Sequence, residues 1–163
     1  MGTNEKTPAV DWNAWKPGWS EAGQTLQEIG LAKILEDYGI TIPGVSATTL
    51  TQIGPVLADG IAQGVSTGEV GRKNREFVGG DRQLALTIAE TVTARAMEST
   101  SHATYARNGV KQLDWLAGGP NECDDCADNA ANSPYAIDDF PTLPFHPNCA
   151  CASAAHCESA RRP

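Results

Sequence analysis

The chain has 163 residues and a formal net charge of −8, with 16 glycines and 10 prolines. This length suits one domain, or one domain with a small appendage, and disfavours a large two-domain enzyme. The acidic balance disfavours non-specific binding to nucleic-acid phosphates.

Three tryptophans, Trp12, Trp15 and Trp19, lie within eight residues near the start of the chain. Pro17 and Gly18 in the same stretch predict an irregular arm rather than a regular helix. This much aromatic area needs a partner surface, which is either the chain's own core or another subunit.

The next stretch predicts two amphipathic helices, because apolar residues recur at helical spacing. Gly39 ends the first helix, Ser46 caps the second and Gly64 ends the second. The segment Gly54-Pro55 predicts a kink or a short break in the second helix. The predicted apolar faces consist of Leu31, Ile34, Leu35 and Tyr38 in the first helix and Leu50, Ile53, Leu57 and Ile61 in the second.

Ser66 and Glu69 have the spacing of a capping box at the start of a short third helix. That helix runs into the basic cluster Arg72, Lys73 and Arg75, which we interpret as a solvated helix end.

Asp81 is placed to cap a long alanine-rich helix over 82–107, and Asn108-Gly109 is placed to end it. Apolar and polar residues alternate over 110–116, which predicts a short strand.

The C-terminal part of the chain is acidic and contains all five cysteines. Between Gln112 and Ser159 there is no Lys or Arg, and the acidic residues there are Asp114, Glu122, Asp124, Asp125, Asp128, Asp138, Asp139 and Glu158. A zinc module that binds nucleic acid normally carries basic residues in such a stretch, so direct nucleic-acid binding is disfavoured. Neither a membrane span nor a signal peptide is expected, and a cytoplasmic setting makes paired cysteines more typical of metal than of disulfides.

The cysteines and one histidine form two knuckles with metal-ligand spacing. Two residues separate Cys123 from Cys126. Nineteen residues then separate Cys126 from the segment His146-Pro-Asn-Cys149-Ala-Cys151. Two such knuckles predict one closed, tetrahedral zinc site with a structural role. Since five candidates exceed four ligands, one of His146, Cys149 and Cys151 is spare. Our preferred set is Cys123, Cys126, His146 and Cys149, and the rival set replaces His146 with Cys151.

Other interpretations of the cysteines and His146 also remain open. The cysteines could form disulfides or stay as free thiols, or Cys149 and His146 could act as a nucleophile pair. Cys157 is interpreted as a bystander. A zinc deaminase would need His-x-Glu upstream of the cysteines, whereas His102 is followed by Ala103-Thr104.

The sequence therefore predicts an α+β fold that is predominantly helical, with a small zinc-stabilised loop and strand region at the C-terminus. Its predicted parts are a tryptophan-rich arm and first helix (1–45), a helical body ending in a strand (46–117), a zinc-binding region (118–154) and a flexible tail (155–163).

Several motifs of this chain match a known family pattern over about residues 50–153. The matching segments are Ile88-Ala89-Glu90-Thr91, Ala94-Arg95-Ala96, Tyr105, Gly109-Val110, Trp115-Leu116, Cys123-Asp-Asp-Cys126 and His146-Pro-Asn-Cys149-Ala150-Cys151. In this order they resemble the C-terminal region of the Mu F-like minor head proteins, the head-morphogenesis family of tailed phages and prophages. The chain departs from that pattern at Val92, where the family has Glu, and at Ala150, where it has Arg.

The resemblance implies a non-enzymatic minor capsid protein that acts near the portal in head assembly or DNA packaging. It further implies partners among the portal, major capsid and scaffold proteins. The expected location is the virion head or procapsid, after synthesis in the bacterial host cytoplasm. A zinc-dependent hydrolase or deaminase-like enzyme is the alternative function.

Overall fold

The structure, a computed structural model, describes residues 16–41, 44–118 and 122–156. Of these residues 63% are helical, and three short strands form one antiparallel sheet, which confirms the predicted α+β class with a helical majority. The helices are α1 (Lys16–Ile29), α2 (Leu31–Asp37), α3 (Ala47–Ala62), α4 (Thr67–Asn74), α5 (Arg82–Arg107) and α6 (Asp124–Ala131). Short 3-10 turns cover Arg75–Val78 and Ile137–Asp139.

Helix α1 begins at Lys16 and passes through Pro17 and Gly18, so the prediction of an irregular arm is wrong from residue 16 onward. The N–H groups of a helix's first turn have no acceptor within the helix, and a proline there therefore removes no hydrogen bond. Trp12 and Trp15 lie outside the described residues. Trp19 packs against Gly64, where an added Cβ atom would lie 2.8 Å from the indole ring.

Helix α3 is continuous through Pro55, so the predicted short break is wrong. Its apolar face is buried on both sides of the proline, at Ile53 before it and at Leu57 and Ile61 after it. Burying these side chains contributes about 1.5–3 kcal/mol each, which together exceeds the cost of about 3 kcal/mol for an internal proline.

The three predicted N-terminal caps are confirmed. The side chains of Ser46, Ser66 and Asp81 accept hydrogen bonds from backbone N–H groups three residues later, at 3.2, 3.3 and 3.0 Å. Each bond satisfies one of the donors that a helix start leaves unpaired. The carboxylate of Glu69 faces the basic residues of its own helix, 3.8 Å from Arg72 and 3.6 Å from Lys73.

The first five helices form a body with an aliphatic core. Helix α1 packs against α3 and α5, α2 packs against α3 and α5, and α4 packs against α5. The side chains at the centre of this core are almost fully buried and include Leu26, Ile34, Leu57, Ile61 and Val92.

The sheet follows the body and has three strands, of which the first in chain order is the central one. Strand β1 (Gln112–Leu116) confirms the predicted strand, with Leu113 and Trp115 buried on one face. Its neighbours β2 (Tyr135–Ala136) and β3 (Ala152–Ala155) are antiparallel to it and were not predicted.

The predicted tail begins within this sheet. Ala155 pairs with Leu113, and the backbone N–H of His156 donates to the carbonyl of Gln112 at 2.9 Å. Residues from Cys157 onward lie outside the described residues. None of the described helices combines the length and the hydropathy that a membrane span requires.

Candidate metal centre

The first knuckle is formed at the start of helix α6. Cys123 occupies the N-cap position with extended backbone angles, and Cys126 lies in the first turn. The two-residue spacing therefore places both thiols at one helix N-terminus, where the helix dipole favours negative charge.

The second knuckle is a turn that begins at His146 and reverses the chain at Asn148. The backbone N–H of Cys149 donates to the carbonyl of His146 at 3.1 Å, and Asn148 has a positive φ of 59°. The imidazole Nδ1 lies 2.9 Å from the carbonyl oxygen of Pro147. A nitrogen facing a carbonyl acts as the donor, so the Nε2 atom carries the free lone pair and is the ligand atom.

A glycine brings Cys151 into the cluster. A Cβ atom added at Gly118 would lie 2.2 Å from the backbone carbon of Ala150 and 2.6 Å from the backbone nitrogen of Cys151. Only glycine allows the chain that leaves β1 to lie this close to the Cys149–Cys151 segment.

All five predicted ligands converge on Cys126. The ligand atoms of Cys123, Cys126 and His146 lie within 4.8 Å of one another, and so do those of Cys126, Cys149 and Cys151. The two groups share Cys126, which belongs to both of the ligand sets predicted from the sequence. The choice between those sets stays a prediction.

The separations within the cluster suit tetrahedral coordination. Around one ion with Zn–S and Zn–N bonds of standard length, two sulfurs lie about 3.8 Å apart and a sulfur and a nitrogen about 3.5 Å apart. The Sγ atoms of Cys126 and Cys149 are 3.8 Å apart. The Nε2 atom of His146 is 3.2 Å from the Sγ of Cys123 and 3.4 Å from that of Cys126. The donor types and these three separations therefore fit a zinc ion, while the four ligand atoms of neither predicted set all lie within 4.8 Å of one another.

The cluster forms the interior of the C-terminal region. Cys126, Cys149 and Cys151 are buried together with Trp115 and Leu143. The Trp115 ring lies against Phe140 and Phe145, with centroids 5.7 and 5.9 Å apart. Trp115 and Phe140 thus pack in the same apolar cluster as the buried cysteines, while Cys123 and His146 are half-buried.

The protein environment shifts the pKa of each candidate ligand. The pKa of Cys123 is lowered, chiefly because the backbone N–H of Cys126 favours its thiolate. Burial is the largest single effect on the pKa of Cys149 and raises it, but hydrogen bonds from the backbone N–H groups of Cys151 and Phe145 and from the thiols of Cys151 and Cys126 together lower it. Burial raises the pKa of Cys126 and Cys151. The Pro147 carbonyl and the Cys123 thiol raise the pKa of His146 against the effect of burial.

Hydrogen bonds from the long helix α5 and from the end of α2 hold the C-terminal region to the body. The Glu98 carboxylate accepts two bonds from Ser153, from its backbone N–H at 3.2 Å and its hydroxyl at 2.6 Å. The Tyr38 hydroxyl donates to the Pro144 carbonyl at 2.6 Å. The role of Glu98, which is half-buried, was not predicted, and the signal that could have identified it was a carboxylate within an alanine-rich helix.

The structure bears on two other interpretations of the cysteines. Cys123, Cys126, Cys149 and Cys151 are free thiols without disulfide bonds, and Cys157 lies outside the described residues. The ring of His146 faces Cys123 and Cys126 through Nε2 and the Pro147 carbonyl through Nδ1, so neither nitrogen is directed at Cys149 as a nucleophile pair requires.

The His102 imidazole lies 2.9 Å from the carbonyl of Ile137 and takes part in the junction between α5 and the C-terminal region. It is not among the groups of described residues that could hold a metal.

Comparison with protein-family models, with curated proteins and with solved structures gives no match for this chain.

Proposed function

We propose that this chain is a non-enzymatic assembly protein whose C-terminal region is held by one structural zinc ion. The observation that carries the proposal is the cluster of thiols and an imidazole that forms the interior of that region. Soft sulfur ligands with an imidazole select zinc over magnesium or calcium, which prefer oxygen ligands. When bound, a zinc ion would link α6 to the Cys149–Cys151 segment and replace much of the apolar core that this region lacks.

Either predicted ligand set would fill this role once its four ligand atoms, which do not all lie within 4.8 Å of one another, close around the ion. Cys123, Cys126, His146 and Cys149 would supply three sulfurs and one nitrogen, while replacing His146 with Cys151 would supply four sulfurs. In both sets Cys126 joins the two knuckles, because its Sγ belongs to both groups of ligand atoms.

As the biological setting we propose a minor component of a tailed phage or prophage head. The support is the resemblance to the Mu F-like minor head proteins in the order of motifs, from the alanine-rich helix through the strand to the two knuckles. The arrangement of α5, β1 and the cysteine cluster is compatible with that order. The proposed location is the virion head or procapsid, with assembly in the bacterial host cytoplasm.

The proposed partners are the portal, the major capsid protein or the scaffold. The arm that precedes α1 is the proposed contact, with Trp12 and Trp15 as aromatic anchors. Trp19 packs on Gly64 of the body and serves the chain's own fold instead.

The alternative is a zinc-dependent hydrolase or deaminase-like enzyme. Such an enzyme needs an open coordination position and a nearby carboxylate that moves protons. Among the described residues, the two possible ligand groups consist of cysteine and histidine alone, and Trp115 packs in one cluster with Cys126, Cys149 and Cys151. These features favour the structural role. Removal of the metal by a chelator would unfold the C-terminal region in the structural case and chiefly inhibit an activity in the enzymatic case.

Mass spectrometry of purified particles, both empty heads and filled virions, tests the proposed setting. We expect a few copies per particle in empty heads, and their presence in filled virions would show that the protein is retained. Absence from both kinds of particle would contradict a head protein and would direct attention to the enzyme alternative.

Tryptophan variants test the proposed contact. Trp12→Ala with Trp15→Ala is expected to abolish association with heads while the thermal midpoint stays unchanged. Trp19→Ala is the matched variant, and it is expected to lower the midpoint because the indole packs on the body. Normal head association of the Trp12 and Trp15 variant would show that the arm is not the contact.

A further inference from the structure

A pocket lined by arginines lies between α4 and the start of α5. Its volume is about 360 Å³, and its lining consists of Gly68, Gly71, Arg72, Arg75, Arg82 and Leu86. From the sequence, Arg72, Lys73 and Arg75 were interpreted as a solvated helix end. In the structure Arg82 of the next helix lines the same cavity as Arg72 and Arg75, and all three arginines are exposed.

Glycines in both neighbouring segments bring these arginines together. A Cβ atom added at Gly71 would lie 3.3 Å from the Ala85 carbonyl oxygen and 3.3 Å from the Leu86 Cα, so glycine lets α4 pack directly on α5. Gly79 and Gly80 have φ angles of 68° and 84° and reverse the chain between the two helices. These two features place Arg82, in the first turn of α5, opposite Arg72.

One of the three arginines is held in place by the turn itself. The Nε atom of Arg75 donates a hydrogen bond to the Gly80 carbonyl at 2.6 Å. This bond fixes the guanidinium plane and leaves the terminal nitrogens available to a ligand.

Little negative charge offsets this pocket. Glu69 is shared between Arg72 and Lys73 at 3.8 and 3.6 Å, and its side chain is 48% exposed. The Asp81 side chain accepts the bond from Leu84 that caps α5. Among the described residues, no carboxylate oxygen lies within ion-pair distance of Arg75 or Arg82.

We propose that this pocket binds the phosphate group of a small phosphorylated molecule of about mononucleotide size. One arginine guanidinium can donate hydrogen bonds to both oxygens of a carboxylate. Three arginines together suit a phosphate, which has more oxygens and a higher negative charge. The volume lies near the lower end of the range for small-molecule sites, and Leu86 offers an apolar surface to the rest of the ligand. The net charge of −8 repels a long polyanion more strongly than a small one. The proposal does not depend on the function in head assembly.

Isothermal titration of the whole protein with three probes tests this site. The probes are inorganic phosphate, a nucleoside monophosphate and a single-stranded oligonucleotide without terminal phosphates, all at physiological ionic strength. We expect saturable 1:1 binding of the monophosphate that is tighter than that of inorganic phosphate, with the oligonucleotide weakest.

Two variants should weaken the binding without disturbing the core. Replacing Arg72 and Arg82 together by Gln removes two charged hydrogen-bonding groups and should weaken binding by about tenfold or more. Gly68→Glu would place a carboxylate in the pocket and abolish binding. An added Cβ atom at Gly68 meets nothing within 4 Å, so the helix should tolerate this change.

The double variant Arg107→Gln with Lys33→Gln is the matched control, because it also removes two positive charges, from exposed side chains that pair with Glu21 and Asp37 outside the pocket. It should leave phosphate binding unchanged. Equal weakening by this control would show a general charge effect and overturn the site. The proposal would likewise fail if no probe bound saturably, or if the oligonucleotide bound tightest, which would assign the pocket to a nucleic-acid backbone. Particle association reports on the proposed assembly function separately.

Discussion

The helical body and the C-terminal region are built from different kinds of interior. The body buries aliphatic side chains from five helices, with Leu26, Ile34 and Leu57 almost inaccessible to water. The C-terminal region buries Trp115, Leu143 and three cysteines, and its regular elements are one short helix and three short strands. Packed apolar area stabilises the first kind of interior. The second contains fewer apolar side chains, and the comparison teaches that the proposed metal would add the cross-links which its own core does not supply.

Of the changes that should affect one region and spare the other, we expect Cys126→Ser to have the largest effect. Cys126 belongs to both groups of ligand atoms, so its loss should release the metal whichever ligand set is used. Structural zinc contributes about 10–16 kcal/mol of apparent binding energy in small zinc domains, so the C-terminal region should lose its fixed structure. Near-ultraviolet circular dichroism and metal analysis measure this loss, while helical content falls only slightly.

Cys157→Ser is the matched control for this prediction, since Cys157 is not a predicted ligand. It should retain about one zinc per chain. If Cys126→Ser bound metal as well as Cys157→Ser does, the centre would not lie at this cluster.

The second effect belongs to the body. Leu57→Ala should destabilise the protein by about 2–5 kcal/mol, because Leu57 is 1% exposed and its truncation leaves a cavity. The neighbouring Val56 is 42% exposed, and Val56→Ala should change the stability by less than about 0.5 kcal/mol. Thermal unfolding measures both, and metal content should stay constant in each. A comparable loss of stability in the two variants would contradict the assigned core.

A smaller effect, on metal affinity, is expected at Gly118, where the chain that leaves β1 lies against the Cys149–Cys151 segment. Gly118→Ala would place its Cβ atom 2.2 Å from the Ala150 backbone, so the Cys149–Cys151 segment must move. Competition with a metal indicator should show weaker metal binding. Gly18→Ala offers a control, because nothing lies within 4 Å of an added Cβ atom there. Unchanged metal affinity in Gly118→Ala would show that this close approach does not position the ligands.

The smallest effect concerns the junction between the regions and depends on pH. Burial raises the pKa of Glu98 above its usual value of 4.5, against the opposing bonds from Ser153. The folded state therefore holds the proton to higher pH than the unfolded state does, and this residue's contribution to stability falls as the pH rises through its folded pKa. Glu98→Gln should remove that part of the pH dependence. Denaturant unfolding of both proteins from the usual glutamate pKa upward measures the difference, and parallel curves would contradict it.

Local signals predicted much of the body. Ser46, Ser66 and Asp81 cap helices as their positions indicate, and the alternation around Trp115 predicts β1. The irregular arm predicted at Pro17 and the short break predicted at Pro55 were wrong, while the alternative of a kink at Pro55 stays a prediction. Pro17 lies in the first turn, where a backbone N–H has no acceptor within the helix. Pro55 lies in a helix whose buried apolar side chains contribute more free energy than the internal proline costs.

The rest of the fold depends on contacts between distant residues. Strand β3 contains only alanine and serine, so its pairing with β1 has no sequence signal. The ligand spacing identified all five metal candidates, yet the role of Glu98 required knowing that Ser153 lies beside it. Likewise, the arginine pocket required α4 and α5 to be in contact.

Hydrogen exchange before and after metal removal tests most directly whether a metal holds the C-terminal region. A chelator is added while the released zinc is counted, and the exchange of each segment is followed by mass spectrometry. We predict that about one zinc per chain is released, that amides over 122–156 lose their protection and that amides of α1, α3 and α5 keep theirs. Unchanged protection over 122–156 in the metal-free protein would contradict the account.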